Sequence, residues 1–177
     1  FDWNGGAKPN KLGDDVITLG MASGLGSSCA FEVNGTCYTA PFTPKPMTKA
    51  ECKAAVAEGK LGIKDCYHEQ DYWAGAVKQC GGVSKMPTMA QLGELASQMY
   101  VGNPTIGAEG QIYNIKYDPN SPVSKALGLT PRFFLWSSNE ESSIYARYRR
   151  FDTTESHWNY NGDRYYSSYI QAVCLGD

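Results

Sequence analysis

The chain has 177 residues, of which 19% are charged, and its formal net charge is −2. This length allows one domain with a real hydrophobic core, while the frequent glycine and modest charge exclude a disordered or fibrous protein. Basic and acidic residues balance along the chain, so nucleic acid is not expected as a partner, because phosphate binding needs a basic surface.

The six cysteines predict an oxidising environment. They form no CxxC pair and the chain has only two histidines, so neither a zinc site nor any other metal or cofactor is expected. An even number of dispersed cysteines is typical of three disulfides in an extracellular or cell-surface protein. No apolar run approaches the ~20 residues of a membrane span. Because the sequence starts at Phe1 without a signal-like segment, we expect a mature or trimmed ectodomain.

The first predicted element is a β-hairpin in the segment CAFEVNGTC. Asn34-Gly35 is a strong turn signal between two short β-like runs, and the hairpin would bring Cys29 and Cys37 close enough for a disulfide. Thr36 completes an N-glycosylation pattern with these two residues, but the pair is a hairpin signal in its own right, so the turn is the favoured interpretation.

Three helices are predicted next. Thr48 and Glu51 form a capping-box pattern for the first, which Gly59 ends, and a Cys52–Cys66 disulfide would join it to the following loop. The segment DYWAGAVKQC predicts the second helix, with one buried face and a stop at two glycines. Thr88 and Gln91 form another capping box, which opens the third helix with an apolar stripe of Met89, Leu92, Leu95, Ala96 and Met99.

Short strands and loops are expected after residue 105. Asn103-Pro104 is predicted to close the helical region, and YDPNSPV is predicted as a turn. The predicted strands are QIYNIKY, FFLWSS, SIYARYRRF and YIQAVCLGD, in the last of which Ile170, Ala172 and Cys174 would share one face. The order of hairpin, helices and strands predicts an α+β domain.

The segments WAGAVKQCGG, MPTMAQLGELA, FFLWSS and AVCLGD together resemble a C-type lectin-like domain of the bacterial branch. The resemblance covers residues 70–177 and implies a fold with two main helices and a small antiparallel sheet. Residues 1–69 would then be an N-terminal extension that contains the stapled hairpin and a short helix. In this family a disulfide joins the first helix to the last strand, which implies Cys80–Cys174.

Calcium-dependent sugar sites of the same family use two short motifs that this sequence matches only in part. Asp118-Pro119-Asn120 and Trp158-Asn159-Tyr160 are the nearest segments, and Tyr160 stands where the family has a carboxylate. Since calcium prefers several oxygen ligands with carboxylates among them, the first segment is better interpreted as a β-turn. A calcium-dependent lectin remains an alternative.

Residues 139–169 are rich in Tyr, Ser and Asn, and they resemble the variable proteins of diversity-generating retroelements, whose C-terminal surface is altered by adenine mutagenesis. The segment HWNYNGDRYYSSY, residues 157–169, is predicted to precede the last strand with its side chains facing outward. The N-terminal part is similar to bacterial type IV pilin-like surface proteins, which implies a membrane or pilus anchor outside this sequence.

The expected function is recognition of a protein or glycan on another cell or surface. Tyr and Trp offer large contact areas at low entropic cost, and Ser and Asn add adaptable hydrogen bonds. We expect other rings and apolar residues in the core, namely Phe134, Trp136, Ile144, Tyr148 and Ile170. The predicted ligand surface comprises Asn139, Ser142, Tyr145, Arg147, Arg149, His157, Trp158, Asn159, Tyr160, Asn161, Tyr165 and Tyr166.

Catalysis is not expected. The chain has no GxSxG elbow, and His157 is predicted as a solvated loop residue and not as a catalytic base. Glu140 and Glu141 are adjacent, so on a strand they would point to opposite faces, unlike a glycosidase pair. The main alternative to a binding module is a structural subunit of a pilus or surface layer.

Overall fold

The computed structural model describes residues 18–19, 29–107, 111–165 and 170–176, with the backbone alone described at 18–19 and 158–161. This part of the chain contains helices and sheets, so the predicted α+β class is confirmed. Its α-helices are α1 (Lys49–Glu58), α2 (Tyr72–Cys80), α3 (Met89–Ser97) and α4 (Pro122–Leu127). No helix within these residues is long and apolar enough to cross a membrane.

The strands form a six-stranded sheet, a three-stranded sheet and a two-stranded sheet within the described residues. The strands are β1 (Thr18–Leu19), β2 (Phe31–Val33), β3 (Thr36–Tyr38), β4 (Met47–Thr48), β5 (Gln70–Asp71), β6 (Tyr100–Ile106), β7 (Gln111–Tyr117), β8 (Phe133–Glu140), β9 (Tyr145–Phe151), β10 (Ser156–Asp163) and β11 (Ile170–Gln171). The largest sheet has the order β11-β8-β9-β10-β7-β6, the second has the order β1-β2-β3, and β4 pairs with β5.

The last strand differs from its prediction. β11 has two residues and pairs in parallel with β8. The large sheet is therefore mixed, whereas an antiparallel sheet was expected. Ala172, Val173 and Cys174 after it are all buried. The predicted alternation of faces is confirmed, because Ile170 and Ala172 pack in one buried cluster and Val173 packs in the other. All of them are buried because both faces are covered.

Local sequence signals correctly located the hairpin and the first three helices. Asn34 and Gly35 have positive φ angles of 52° and 80° in the β2–β3 turn, and the Asn34 amide donates a hydrogen bond to Glu94. Thr48 and Thr88 each form the predicted capping box. The predicted disulfides are confirmed as Cys29–Cys37, Cys52–Cys66 and Cys80–Cys174.

Strand β6 contradicts the prediction that Asn103-Pro104 closes the helical region. Both residues lie inside this strand, which is the outer strand of the six-stranded sheet and, among the strands of the described part, pairs only with β7. Proline has no N–H to donate to a strand pair, and an edge strand tolerates this because one side needs no partner. The sheet therefore begins directly after α3.

Helix α4 was missed because YDPNSPV was predicted only as a turn. Residues 119–120 do form that turn, and the Asp118 carboxylate accepts a hydrogen bond from the Asn120 N–H at 3.0 Å. Ser121 then caps a six-residue helix with Pro122 at its start, and Gly128 ends it. Proline in the first turn and glycine after the last are typical helix boundaries, so the sequence did carry the signal.

Strand β10 overlaps the segment of residues 157–169, for which no strand was predicted and in which His157 was expected to be a loop residue. Residues 157–163 of that segment lie in the strand, which is paired with β9 on one side and with β7 on the other. Neighbouring strands satisfy the backbone hydrogen-bonding groups, so a segment with few aliphatic residues occupies an interior position in the sheet. Residues 166–169 lie outside the described part.

The six-stranded sheet has a buried cluster on each face. Leu135 packs in a first cluster with α3, and the adjacent Trp136 packs in a second cluster with α2. Successive strand residues point to opposite faces, so β8 supplies both clusters. Trp136, Tyr148 and Ile170 are buried as predicted, whereas Phe134 and Ile144 are half-buried.

Residues before position 70 pack in the same two buried clusters. Phe31 of the hairpin lies in the first cluster, and Ile63 lies in the second. Gly75 of α2 allows the preceding chain to cross closely, since a Cβ atom there would lie 1.7 Å from the carbonyl oxygen of Lys45. The predicted boundary between residues 69 and 70 therefore cuts through both clusters.

Candidate ligand-binding surface

One end of the six-stranded sheet carries exposed tyrosines, and we call it the tyrosine end. It comprises residues 139–145 and 163–165, where β8 ends, β9 begins and β10 ends, together with the loop of residues 65–68. Tyr145 pairs with Asp163 across the β9–β10 ladder. The exposed fractions are 56% for Tyr67, 42% for Tyr145 and 60% for Tyr165. These side chains offer aromatic area at the surface.

His68 joins the loop to the strands. Its ring centroid lies 5.2 Å from that of Tyr67 and 5.9 Å from that of Tyr165. Its Nε2 atom lies 2.6 Å from an Asp163 carboxylate oxygen and 3.3 Å from the Ile144 carbonyl oxygen. Tyr67, His68 and Tyr165 therefore form one aromatic group on two separate segments of the chain.

Tyr67 and His68 belong to this end of the sheet, although neither was predicted as a site residue. The segment CYHEQ contains no motif that marks a binding site. The Cys52–Cys66 disulfide fixes the residue just before them. Only the folded chain brings this loop beside Asp163 and Tyr165.

The buried side chain of Arg164 stabilises the tyrosine end, although Arg164 was not predicted as a site residue. Its side chain is fully buried, with Nε 2.8 Å from an Asp71 carboxylate oxygen and an Nη1 hydrogen bond of 2.8 Å to Glu140. The same guanidinium donates to the carbonyl oxygens of Ser142 and Asp65. One side chain therefore connects the start of α2, the end of β8, the β8–β9 turn and the loop.

The acidic partners of Arg164 have further partners of their own. The Asp71 carboxylate caps α2 by accepting from the Ala74 N–H at 2.8 Å. Burial raises the pKa of Asp71, while the Arg164 guanidinium and this N–H oppose the rise. Glu140 accepts from the backbone N–H groups of Lys64 and Asp65. Because a buried charge is costly unless it is well paired, this network strongly favours one geometry of the turn and loop.

The β8–β9 turn has local supports as well. The Ser142 hydroxyl accepts hydrogen bonds from the N–H groups of Ile144 and Tyr145, both at 3.1 Å. Arg147 forms an ion pair with Glu141 and is half-buried, and Asn139 is exposed at the end of β8. The structure therefore brings together five of the predicted residues, which are Asn139, Ser142, Tyr145, Arg147 and Tyr165.

Two predicted surface residues lie in the interior. Arg149 is fully buried opposite Leu135, and its Nε donates to the Ser156 hydroxyl at 3.0 Å. His157 is 6% exposed and lies 3.3 Å from Glu155, so it is not a solvated loop residue. Burial lowers the pKa of His157 against the opposing effect of Glu155. The prediction is wrong for both, because a buried side chain offers no contact area.

The other predicted residues are only partly described or not described. Trp158, Asn159, Tyr160 and Asn161 have their backbone in β10, where Tyr160 pairs with Tyr148 and Asn161 pairs with Arg147. Their side chains lie outside the described part, as does Tyr166 altogether. They remain predicted surface residues.

A potential metal-binding cluster consists of Asp152, Glu155 and His157, whose ligand atoms lie within 4.8 Å of one another. The Asp152 carboxylate is already engaged, with one oxygen 2.6 Å from Arg132 Nε and the other 2.7 Å from Arg150 Nε. Two guanidinium groups beside this carboxylate would repel a cation. The cluster is better interpreted as an ion-pair network.

Comparisons with protein-family models, curated proteins and solved structures found no match. The C-type lectin-like assignment therefore depends on the sequence segments quoted above.

Proposed function

We propose that this chain is a surface-displayed binding module whose tyrosine end recognises a protein or glycan partner. The observation that carries the proposal is the exposure of Tyr67, Tyr145 and Tyr165 beside a fully buried Arg164 network. The rings expose surface that a partner can bury, and the Arg164 network already holds the backbone near them in place.

The chemistry of the tyrosine end suits recognition. A tyrosine buries a large apolar ring at the cost of ordering two χ angles, and its hydroxyl can still form hydrogen bonds. Asn139 and Ser142 add polar groups at the same end. A preformed backbone lowers the ordering cost of binding, which favours affinity.

The class of protein that we propose is a C-type lectin-like module similar to the variable proteins of retroelements. The α+β class and the Cys80–Cys174 disulfide support this assignment. Three disulfides fit an extracellular location, and attachment to a cell surface through a membrane or pilus anchor is part of the proposal. A near-copy of the 3′ coding end that differs at adenines, beside a reverse transcriptase gene, would support diversification, and its absence would contradict that part alone.

The test is binding of the fluorescently labelled chain to a glycan array and to an array of extracellular proteins. The variant Tyr67→Ser/Tyr145→Ser/Tyr165→Ser should bind its targets at least about tenfold more weakly, since loss of central aromatic contacts typically costs 2 kcal/mol or more. Tyr113→Ser is the matched control, because Tyr113 is 39% exposed on β7, outside the tyrosine end. Equal binding by the triple variant, or the absence of any target, would contradict the proposal.

The alternatives give different results in the same assay. A calcium-dependent lectin would lose its glycan targets in a chelator, whereas binding through the tyrosines should be insensitive to it. A structural subunit of a pilus or surface layer would bind copies of itself and no arrayed partner.

A further inference from the structure

A pocket lies at the end of the six-stranded sheet opposite the tyrosine end. It is formed by α4 and the segment that follows it, the end of β7 and the β9–β10 turn, and its volume is about 680 Å³. We call it the lysine pocket. Its lining includes Lys116, Tyr117, Lys125, Leu129, Pro131 and Thr154.

The lysine pocket combines an apolar lining with two exposed lysines. The ring of Tyr117 and the side chains of Leu129 and Pro131 supply apolar surface, while Lys116 and Lys125 are exposed on β7 and α4. Neither lysine ammonium group forms an ion pair or hydrogen bond with a residue in the described part of the chain. Two lysines without a partner among the described residues therefore belong to the lining of a largely apolar pocket.

Backbone and side-chain hydrogen bonds hold the walls in place. The Tyr117 N–H donates to the Thr153 carbonyl oxygen at 2.8 Å, and the Tyr117 hydroxyl donates to the Leu129 carbonyl oxygen at 3.3 Å. Ser121 caps α4 at one end, and the Gly128 N–H closes the other end. Ligand sites of about 300–1,000 Å³ are usually largely preformed in this way.

We propose that the lysine pocket binds a small amphipathic anion, in which an aromatic or aliphatic body carries one acidic group. The body would lie against Tyr117, Leu129 and Pro131, and the acidic group would lie between Lys116 and Lys125. Charge complementarity selects this class, because a neutral apolar ligand would leave both ammonium groups unused and a cation would be repelled. The pocket and the tyrosine end are separated by the length of β9, about 20 Å at ~3.3 Å per residue.

The test uses 8-anilinonaphthalene-1-sulfonate as the probe and N-phenyl-1-naphthylamine as its neutral counterpart. Each is titrated into the ¹⁵N-labelled chain, and amide shifts are followed by NMR. The sulfonate should move the amides of Lys125, Leu129 and Thr154, and it should bind about tenfold more tightly than the neutral probe, as expected for a charge-assisted contact. Added salt should weaken binding of the sulfonate probe and leave binding of the neutral probe unchanged.

The variant Lys116→Gln/Lys125→Gln should remove most of the tenfold preference without changing binding of the neutral probe. Lys60→Gln/Lys78→Gln is the matched control, since both of these lysines are exposed on other elements. Shifts centred on residues 139–145, equal affinity for both probes, or an unchanged preference in the pocket variant would each overturn the proposal. Loss of the tyrosines should leave probe binding unchanged, so this test is independent of the proposed function.

Discussion

The two ends of the six-stranded sheet distribute rings and charges in opposite ways. At the tyrosine end the charged groups of Arg164 and Asp71 are buried, and tyrosine rings are exposed above them. At the lysine-pocket end Tyr117 is buried, and Lys116 and Lys125 are exposed.

The two ends therefore also differ in how much their charged groups contribute to the stability of the fold. An exposed lysine keeps its hydration, so it adds little to stability and remains available to a ligand. A buried arginine has lost its hydration and depends on every partner that the fold supplies. The tyrosine end should therefore be sensitive to changes beneath its surface and tolerant of changes on it.

The largest effect is expected for Arg164→Met. The change leaves Asp71 and Glu140 without their buried counter-charge, and removal of one partner of a buried pair costs about 3–5 kcal/mol. The free energy of unfolding, measured by urea denaturation, should fall by that amount. Arg147→Met is the control, because its ion pair with Glu141 is partly exposed and should cost no more than about 1 kcal/mol. Equal losses in the two variants would remove the distinction between buried and exposed charge.

A smaller loss is expected for Gly162→Ala on β10. A Cβ atom there would lie 2.6 Å from the Tyr148 ring and 3.2 Å from the Trp136 ring. Overpacking of this kind costs about 1–3 kcal/mol, which thermal denaturation can detect. The cost should fall in a Tyr148→Leu background, because the nearest ring is then gone. The same cost in both backgrounds would mean that this contact is not the cause.

At the lysine-pocket end, Ser121→Ala should cost about 1 kcal/mol, since it removes the N-cap of α4. Urea denaturation measures the loss. Ser84→Ala is the control, because Ser84 is exposed in the 3-10 turn Val83–Lys85 and caps no α-helix. If the two variants were equally stable, the hydrogen bond from Ser124 to the cap would add nothing to the fold.

The smallest change in stability is expected for Tyr67→Ser/Tyr145→Ser/Tyr165→Ser, within about 0.5 kcal/mol per substitution as for most surface changes. The melting temperature should stay close to that of the unchanged chain, while partner binding is lost. A large drop in melting temperature would show that the rings stabilise the fold, and it would weaken their assignment to a binding surface.

Elements with strong local signals could be predicted, and elements that depend on their neighbours could not. The capping boxes at Thr48 and Thr88 and the turn at Asn34-Gly35 determine boundaries within a few residues, so α1, α3 and the hairpin were correctly located. β6 contains a proline and β10 contains few aliphatic residues, so neither has the pattern of a strand. Both form because an adjacent strand supplies backbone partners.

The arginines also separate what the sequence predicts from what depends on the fold, here for single side chains. The sequence by itself determined where α1, α2 and α3 lie, and its composition indicated a surface rich in tyrosine. Only the tertiary structure decided that Arg149 and Arg164 are buried while Arg147 stays half-exposed. The physical reason is that burial of a charge depends on a counter-charge, and for Arg164 the fold brings Asp71 from the start of a distant helix.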